Sequence, residues 1–323
     1  MKKLGRFFIF LLWLTTVALS VFLILKPTKK VQLNNFTILE IWQVDMVEGG
    51  TGSRRQYLDN VAKQFEKLNK NVLITVINQT PQSVQENFEN GYYPDMISYS
   101  QGLTGIADRA NQIDLKVDNF GGKYKNKFCA FLWAMGGYVY VFHKDKAPKT
   151  VYVSKVDYNM PLISLYLEDL PKSYQVLPPE KAYYNFLNNK DSALLGTQRD
   201  LYRLKDKLDN FTVLPLEKFT DICQYISILT DIDEKIKLSN KFINLLYESG
   251  KKDLYKIGMR SPYQNIKSGD NGPIALLFDI NYKQSLSPFY SFSALDKLHN
   301  DLLSDKINGE EKTKLIKNAI FYL

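Results

Sequence analysis

Apolar positions change their period along this chain, and the changes mark its elements. Residues 36–42 form a short apolar run that predicts a strand, and a polar, glycine-bearing loop follows at 43–52. Tyr57, Leu58, Val61, Ala62, Phe65 and Leu68 then recur at helical spacing, with Ser53 placed to cap the helix and Asn69 and Asn71 to end it. Residues 72–77 predict a β-branched strand, 81–90 a second helix and 96–99 a third strand after Pro94-Asp95. Strand, helix, strand, helix, strand implies a parallel, helix-covered sheet.

The middle of the chain reads differently. Runs at 128–133 and 137–142 predict two strands separated by Ala134-Met135-Gly136-Gly137, where paired glycines permit a bend or a close backbone approach. A second set follows: helix 182–187, strand 192–195, helix 201–208 and strand 211–216. Residues 234–247 predict an amphipathic helix carrying Ile236, Leu238, Phe242, Leu245 and Leu246, and the tail from 291 predicts two helices broken near Asn308-Gly309.

Before all of this lies an apolar stretch at 7–25, flanked by Lys and Arg on both sides. At about 1.5 Å of rise per residue it is long enough to cross a hydrocarbon core. The reading preferred from sequence is a single-pass signal anchor over residues 1–27, placing the body on the extracellular face of the cell membrane. A cleaved secretory signal is the alternative, with a small-x-small site at Ala18-Leu19-Ser20 that lies inside the run rather than after it. Residues 28–35 read as a linker.

Composition narrows the function. With 45% hydrophobic and 24% charged residues among 323, a folded body is expected. A formal charge of +8 suggests an anionic partner such as nucleic acid. Six of the 42 cations, however, lie in residues 1–35, which hold no carboxylate, so the remainder carries 36 cations against 34 carboxylates. That near-neutral body, with its charges intermixed, argues against nucleic acid. Two cysteines and two histidines leave little for a disulfide scaffold or a metal site. No G-x-S-x-G, H-E-x-x-H or C-x-x-C occurs, so no catalytic residue, metal or cofactor is expected.

The loop Glu48-Gly49-Gly50-Thr51-Gly52-Ser53 is the strongest candidate for chemistry. It joins the first strand to the first helix, where unpaired N–H groups and the helix dipole favour a ligand oxygen. Its glycine spacing fits neither a P-loop nor a dinucleotide fingerprint. A flexible turn is the plain alternative.

The stretch ILEIWQVDMVEGGTGSRRQYLDNVAKQFEKLNKNVLITVI, followed by YPDMISYS, resembles the first lobe of extracellular solute-binding proteins of ABC importers. The resemblance is to the sugar-type, family 1-like branch with a type 2 periplasmic-binding fold. Met135-Gly136-Gly137-Tyr138 with His143-Lys144-Asp145 is similar to that family's crossover into a second lobe, and residues 193–200, ALLGTQRD, to its second-lobe strand and cleft loop. The resemblance implies a two-lobed α/β fold with hinge strands. Lobe one would span 36–133 and about 213–256, and lobe two 134–212 and about 257–323. It further implies a monomer that binds a small polar solute, most simply a carbohydrate, and delivers it to an ABC permease; a membrane-anchored sensor on the same scaffold is the alternative. The ligand-binding positions it implies are Trp42, Glu48, Gly49, Gly50, Tyr99, Trp133, Gln198 and Arg199, with Met135, Gly136 and Gly137 as the hinge. Trp42 and Trp133 would stack on sugar faces unless they belong to the core. Arg199 would grip hydroxyls or, alternatively, a carboxylate or phosphate, unless it pairs with Asp200 or caps its own helix.

Overall fold

A computed structural model describes residues 15–16, 36–115, 117, 122–171, 173–263, 275–278, 280, 282 and 284–322. The chain divides into a unit of residues 1–36 and a unit of residues 37–323. The membrane-spanning helix expected at 7–25 is corrected. Among the described residues no helix is long and apolar enough to cross a membrane. The signal anchor, the membrane as a partner and the single-pass location all rested on that helix and go with it. Of the apolar run only Thr15 and Thr16 are described, both helical and exposed, and the rest of it, like the linker at 28–35, lies outside the described residues.

The unit of residues 37–323 has two α/β lobes, each built on a five-stranded sheet. The first sheet contains β1 (Thr37–Val44), β2 (Val72–Gln79), β3 (Met96–Tyr99), β4 (Phe131–Met135) and β10 (Cys223–Ile228), in the order β2-β1-β3-β10-β4. The second contains β5 (Tyr138–His143), β6 (Thr150–Ser154), β7 (Tyr174–Leu177), β8 (Ser192–Thr197) and β9 (Phe211–Pro215), in the order β9-β5-β8-β6-β7. The chain passes from one sheet to the other between β4 and β5, across Gly136-Gly137, and returns between β9 and β10. Strand β9, which the expected boundary at 213 divides, pairs with β5 of the second sheet.

The first sheet is mixed rather than parallel. β1 pairs in parallel with β2 and β3, but β10 runs antiparallel to both β3 and β4. The reason is the route: β10 arrives directly from the second lobe, with no crossover helix to turn it parallel. Helix α1 (Arg54–Leu68) begins at Ser53, whose Oγ accepts the Gln56 N–H at 3.2 Å. It buries Tyr57, Leu58, Val61, Ala62 and Phe65, and Phe65 meets Phe242 of α6 (Asp233–Asp253) edge-on, with ring centroids 5.8 Å apart. Helix α2 (Pro81–Glu89) covers the opposite face of the sheet through Val84 and Phe88. In the second lobe, α3 (Pro161–Leu167) and α4 (Pro179–Asn188) pack on β6 and β8, and α5 (Gln198–Leu204) continues directly from β8. The tail forms α7 (Phe292–Leu303) and α8 (Gly309–Ala319), the latter opened by a reciprocal capping box between Asn308 and Glu311.

Candidate functional site

The glycine loop and α5 meet where the lobes face each other. Gly50 has φ +76, and a Cβ there would run into the Ile257 carbonyl oxygen, so the loop takes a path only glycine follows cheaply. The same carbonyl accepts the N–H groups of Thr51 at 2.8 Å and Gly52 at 3.2 Å. Those two amides are therefore already used. Gly49 lies so close to Ile222 and Gln198 that an added Cβ would stand 2.6 and 2.9 Å from them.

Gln198 is fully buried and serves the crossover. Its Oε1 accepts the Gly137 N–H at 3.0 Å, and its amide lies where a Cβ on Gly136 would go. Met135 and Arg260 exchange two backbone hydrogen bonds at 2.9 Å, and Gly136 donates to the Ile222 carbonyl at 2.7 Å. The expected hinge residues thus sit where three passes of the chain lie side by side.

Asp221 ties this region together. Fully buried, it accepts from the Tyr138 hydroxyl, from the Met160 N–H at 2.6 Å and from Gln101 Nε2 at 3.3 Å. Burial pushes its carboxyl up to about 6, and the Tyr138 and Met160 donors pull in the opposite direction.

Across the lobe junction, Glu48 Oε1 is 3.2 Å from Arg199 Nη1 and 3.4 Å from Arg203 Nη2. The Glu48 N–H donates to Asn159 Oδ1 at 3.2 Å, a second tie between the lobes, while Glu48 Oε2 is buried with no hydrogen-bond partner among the described residues. Burial raises the Glu48 pKa above the usual carboxylate range; Asp200 adds to this, and Arg203 and Arg199 oppose it. Asp200 itself is buried at the start of α5, where it forms a capping box with Thr197 and binds Arg203 Nη1 at 2.8 Å. Arg203, not Arg199, is the partner of Asp200. Beside Glu48 opens a recess of about 130 Å³, bounded by the loop at 45–53, Arg54 and Arg199.

The three expected aromatic platforms are corrected, because all of them belong to the core. Trp42 stacks on Phe88 with centroids 6.2 Å apart and donates its Nε1–H to Glu40 Oε1 at 2.6 Å. Trp133 stacks on Tyr57 at 5.7 Å and donates to Ser98 Oγ at 3.0 Å. Tyr99 shares a 3.0 Å hydrogen bond with Ser227 Oγ. All three lie on sheet strands covered by helices on both faces, and each polar tip is satisfied internally. The structure therefore brings together Glu48, Gly49, Gly50, Gln198, Arg199 and the hinge, and leaves Trp42, Tyr99 and Trp133 apart from them. Arg203, Arg54, Asn159 and Asp221 escaped the sequence reading. Of these only Arg203 had a signal, standing one helical turn after Arg199 on a helix announced by Thr197-x-x-Asp200.

No family model matches the chain, and no curated protein matches it. Solved structures do. The sugar-binding protein MalE from Xanthomonas citri superposes with a TM-score of 0.58 at 13% identity, over 88% of this chain and 96% of that one. The galacto-N-biose-/lacto-N-biose I-binding protein of the ABC transporter from Bifidobacterium longum gives 0.58 at 10% identity, over 88% and 95%. An ABC substrate-binding protein from Listeria monocytogenes, in complex with cycloalternan, gives 0.54 at 14% identity, over 88% and 97%. At such identities the likeness speaks for the fold, and the chain has the two-lobed fold of ABC-importer solute-binding proteins.

Proposed function

We propose that this chain captures a small polar solute, with carbohydrate the favoured class, and hands it to the permease of an ABC importer. It binds and does not transform. The observation that carries this reading is the lobe junction itself. Glu48 from one lobe meets Arg199 and Arg203 from the other beside a recess, above a crossover made of Met135, Gly136 and Gly137. Charged and planar polar groups of that kind grip hydroxyls, and two lobes joined by a crossover can close on what they grip. Glu48, Gly49, Gly50 and Arg199 are the proposed solute contacts, and Gln198 holds the crossover. We take the lobes to divide at Gly136-Gly137, a little past the expected boundary at 133–134, since β4 ends at Met135 and β5 begins at Tyr138 in the other sheet.

The test is a thermal-shift and calorimetric screen of the full-length protein against monosaccharides, disaccharides, sugar acids and sugar phosphates. A ligand that binds only the folded state raises the melting temperature by mass action. A saccharide or saccharide derivative giving a saturable shift is the expected result. A screen in which none does so overturns the reading.

A further inference from the structure

We infer that the solute carries an oxyanion, a carboxylate or a phosphate group, which sits in the recess at the start of α1 between Arg54 and Arg199. This rests on the solute-capture reading and narrows it to sugar acids or sugar phosphates.

The first support is Arg54. Its side chain is only 9% exposed, Nε is spent on Asp45 Oδ1 at 2.8 Å, and Nη2 is spent on the Val47 carbonyl at 2.9 Å. Nη1 is buried and has no hydrogen-bond partner among the described residues. Arg54 also lines the recess, and a guanidinium held on two edges with its third nitrogen unpaired is a preorganised half of an oxyanion clamp.

The second is the helix end that Arg54 occupies. Helix α1 is 15 residues long, and its first turn contains no carboxylate but opens with Arg54-Arg55. Positive side chains there add to the positive end of the helix dipole, a disposition that an anion at the same place would relieve. Arg55 is turned elsewhere, donating to the Val76 carbonyl at 3.2 Å and lying 3.8 Å from Asp59.

The third is Arg199 across the junction. It is half-exposed, with a side-chain exposure of 49%, and its partner Glu48 is also held by Arg203. Arg199 can therefore leave Glu48 without stranding it, and complete the clamp from the second lobe. Glu48 already places a carboxylate against Arg199, much as a solute carboxylate would. Size agrees with the assignment. About 130 Å³ is slightly less than the ~150 Å³ cavity that takes one benzene. The recess seats an anionic head and not a disaccharide.

The full-length protein is titrated with glucose, maltose, glucuronate, glucose 6-phosphate and inorganic phosphate, read by calorimetry and melting temperature. Glucuronate or glucose 6-phosphate is expected to bind and glucose to fail. Arg199→Ala and, separately, Arg54→Lys should weaken the anion roughly 10- to 100-fold, the weight of one or two charge-assisted hydrogen bonds. Arg199→Ala, at a half-exposed position, serves if Arg54→Lys does not fold. Inorganic phosphate binding as well as the sugar phosphate supports the oxyanion seat and shows that the head alone is read. If glucose or maltose binds and the acids do not, or if the acids bind both variants unchanged, the oxyanion assignment is wrong while solute capture stands. If no probe binds, the oxyanion assignment is wrong, and the wider screen decides solute capture.

Discussion

Arg203 of the second lobe lies 3.4 Å from Glu48 of the first, and with its other terminal nitrogen it holds Asp200 at 2.8 Å. One guanidinium thereby serves the lobe junction and a fully buried carboxylate at the same time.

Arg203 and Arg199 should consequently differ in what their loss costs. Arg203→Ala strips Asp200 of its cation in a buried setting, and breaking such a pair costs about 3–5 kcal/mol. Arg199→Ala removes a half-exposed partner, worth about 0–1 kcal/mol. Denaturant unfolding of both variants measures the difference. Equal losses would mean that Asp200 does not depend on Arg203.

The buried tryptophans make an opposite kind of prediction. Trp42→Ala and Trp133→Ala should each lose about 3–5 kcal/mol of stability, as large-to-small changes in a packed core do. Ser98 Oγ keeps the Gln224 amide at 3.1 Å when Trp133 goes, so the loss there is mainly of packing. Variants folded at low temperature should bind solute with unchanged affinity. Normal stability combined with abolished binding would return these rings to the cleft.

Two glycines should respond with opposite signs to alanine. At Gly50 the left-handed backbone costs an alanine about 1–2 kcal/mol before any contact with Ile257 or Met259 is counted. Gly309 opens α8 with nothing among the described residues within 4 Å of an added Cβ, and there alanine should gain about 0.4–1 kcal/mol by restricting the unfolded chain. Melting temperatures of the two variants decide the matter.

Asp221 should make stability depend on pH. Its folded pKa of about 6 lies above the 3.8 of the free side chain, so the folded state holds the proton more tightly. The stabilisation from that proton is fully present below about pH 4 and is lost as pH rises through about 6. His299, pushed down to about 4 by burial, acts in the contrary direction over much the same window, because the folded state resists its protonation. The informative quantity is therefore wild type minus Asp221→Asn, which keeps the carbonyl acceptor and removes the titration. That difference in melting temperature should shift against the wild type between pH 4 and 7, and a flat difference would contradict the buried carboxylate.

Local elements were readable wherever one physical signal dominated. The Ser53 cap and the spacing from Tyr57 to Phe65 define α1, and the Asn308-Gly309 break separates α7 from α8. Strand β10 was not expected. It is wholly buried, and with no helix-strand alternation around it, a short apolar run does not announce which sheet it will join. The aromatic residues misled for a related reason. Trp42 and Trp133 have the chemistry of sugar platforms, and residue type does not say which face of a strand is covered.

The sequence alone determined the run from β1 to β3 with α1 and α2, the glycine loop before α1 and the bend at Gly136-Gly137. All of these follow from periodicity, capping and backbone freedom acting within a few residues. Only the tertiary structure decided that β10 runs antiparallel, that Arg203 rather than Arg199 holds Asp200, and that Arg54 lines the junction recess. Those are matters of which distant groups share a buried space, and side-chain pairing there is set by how the lobes pack rather than by distance along the chain.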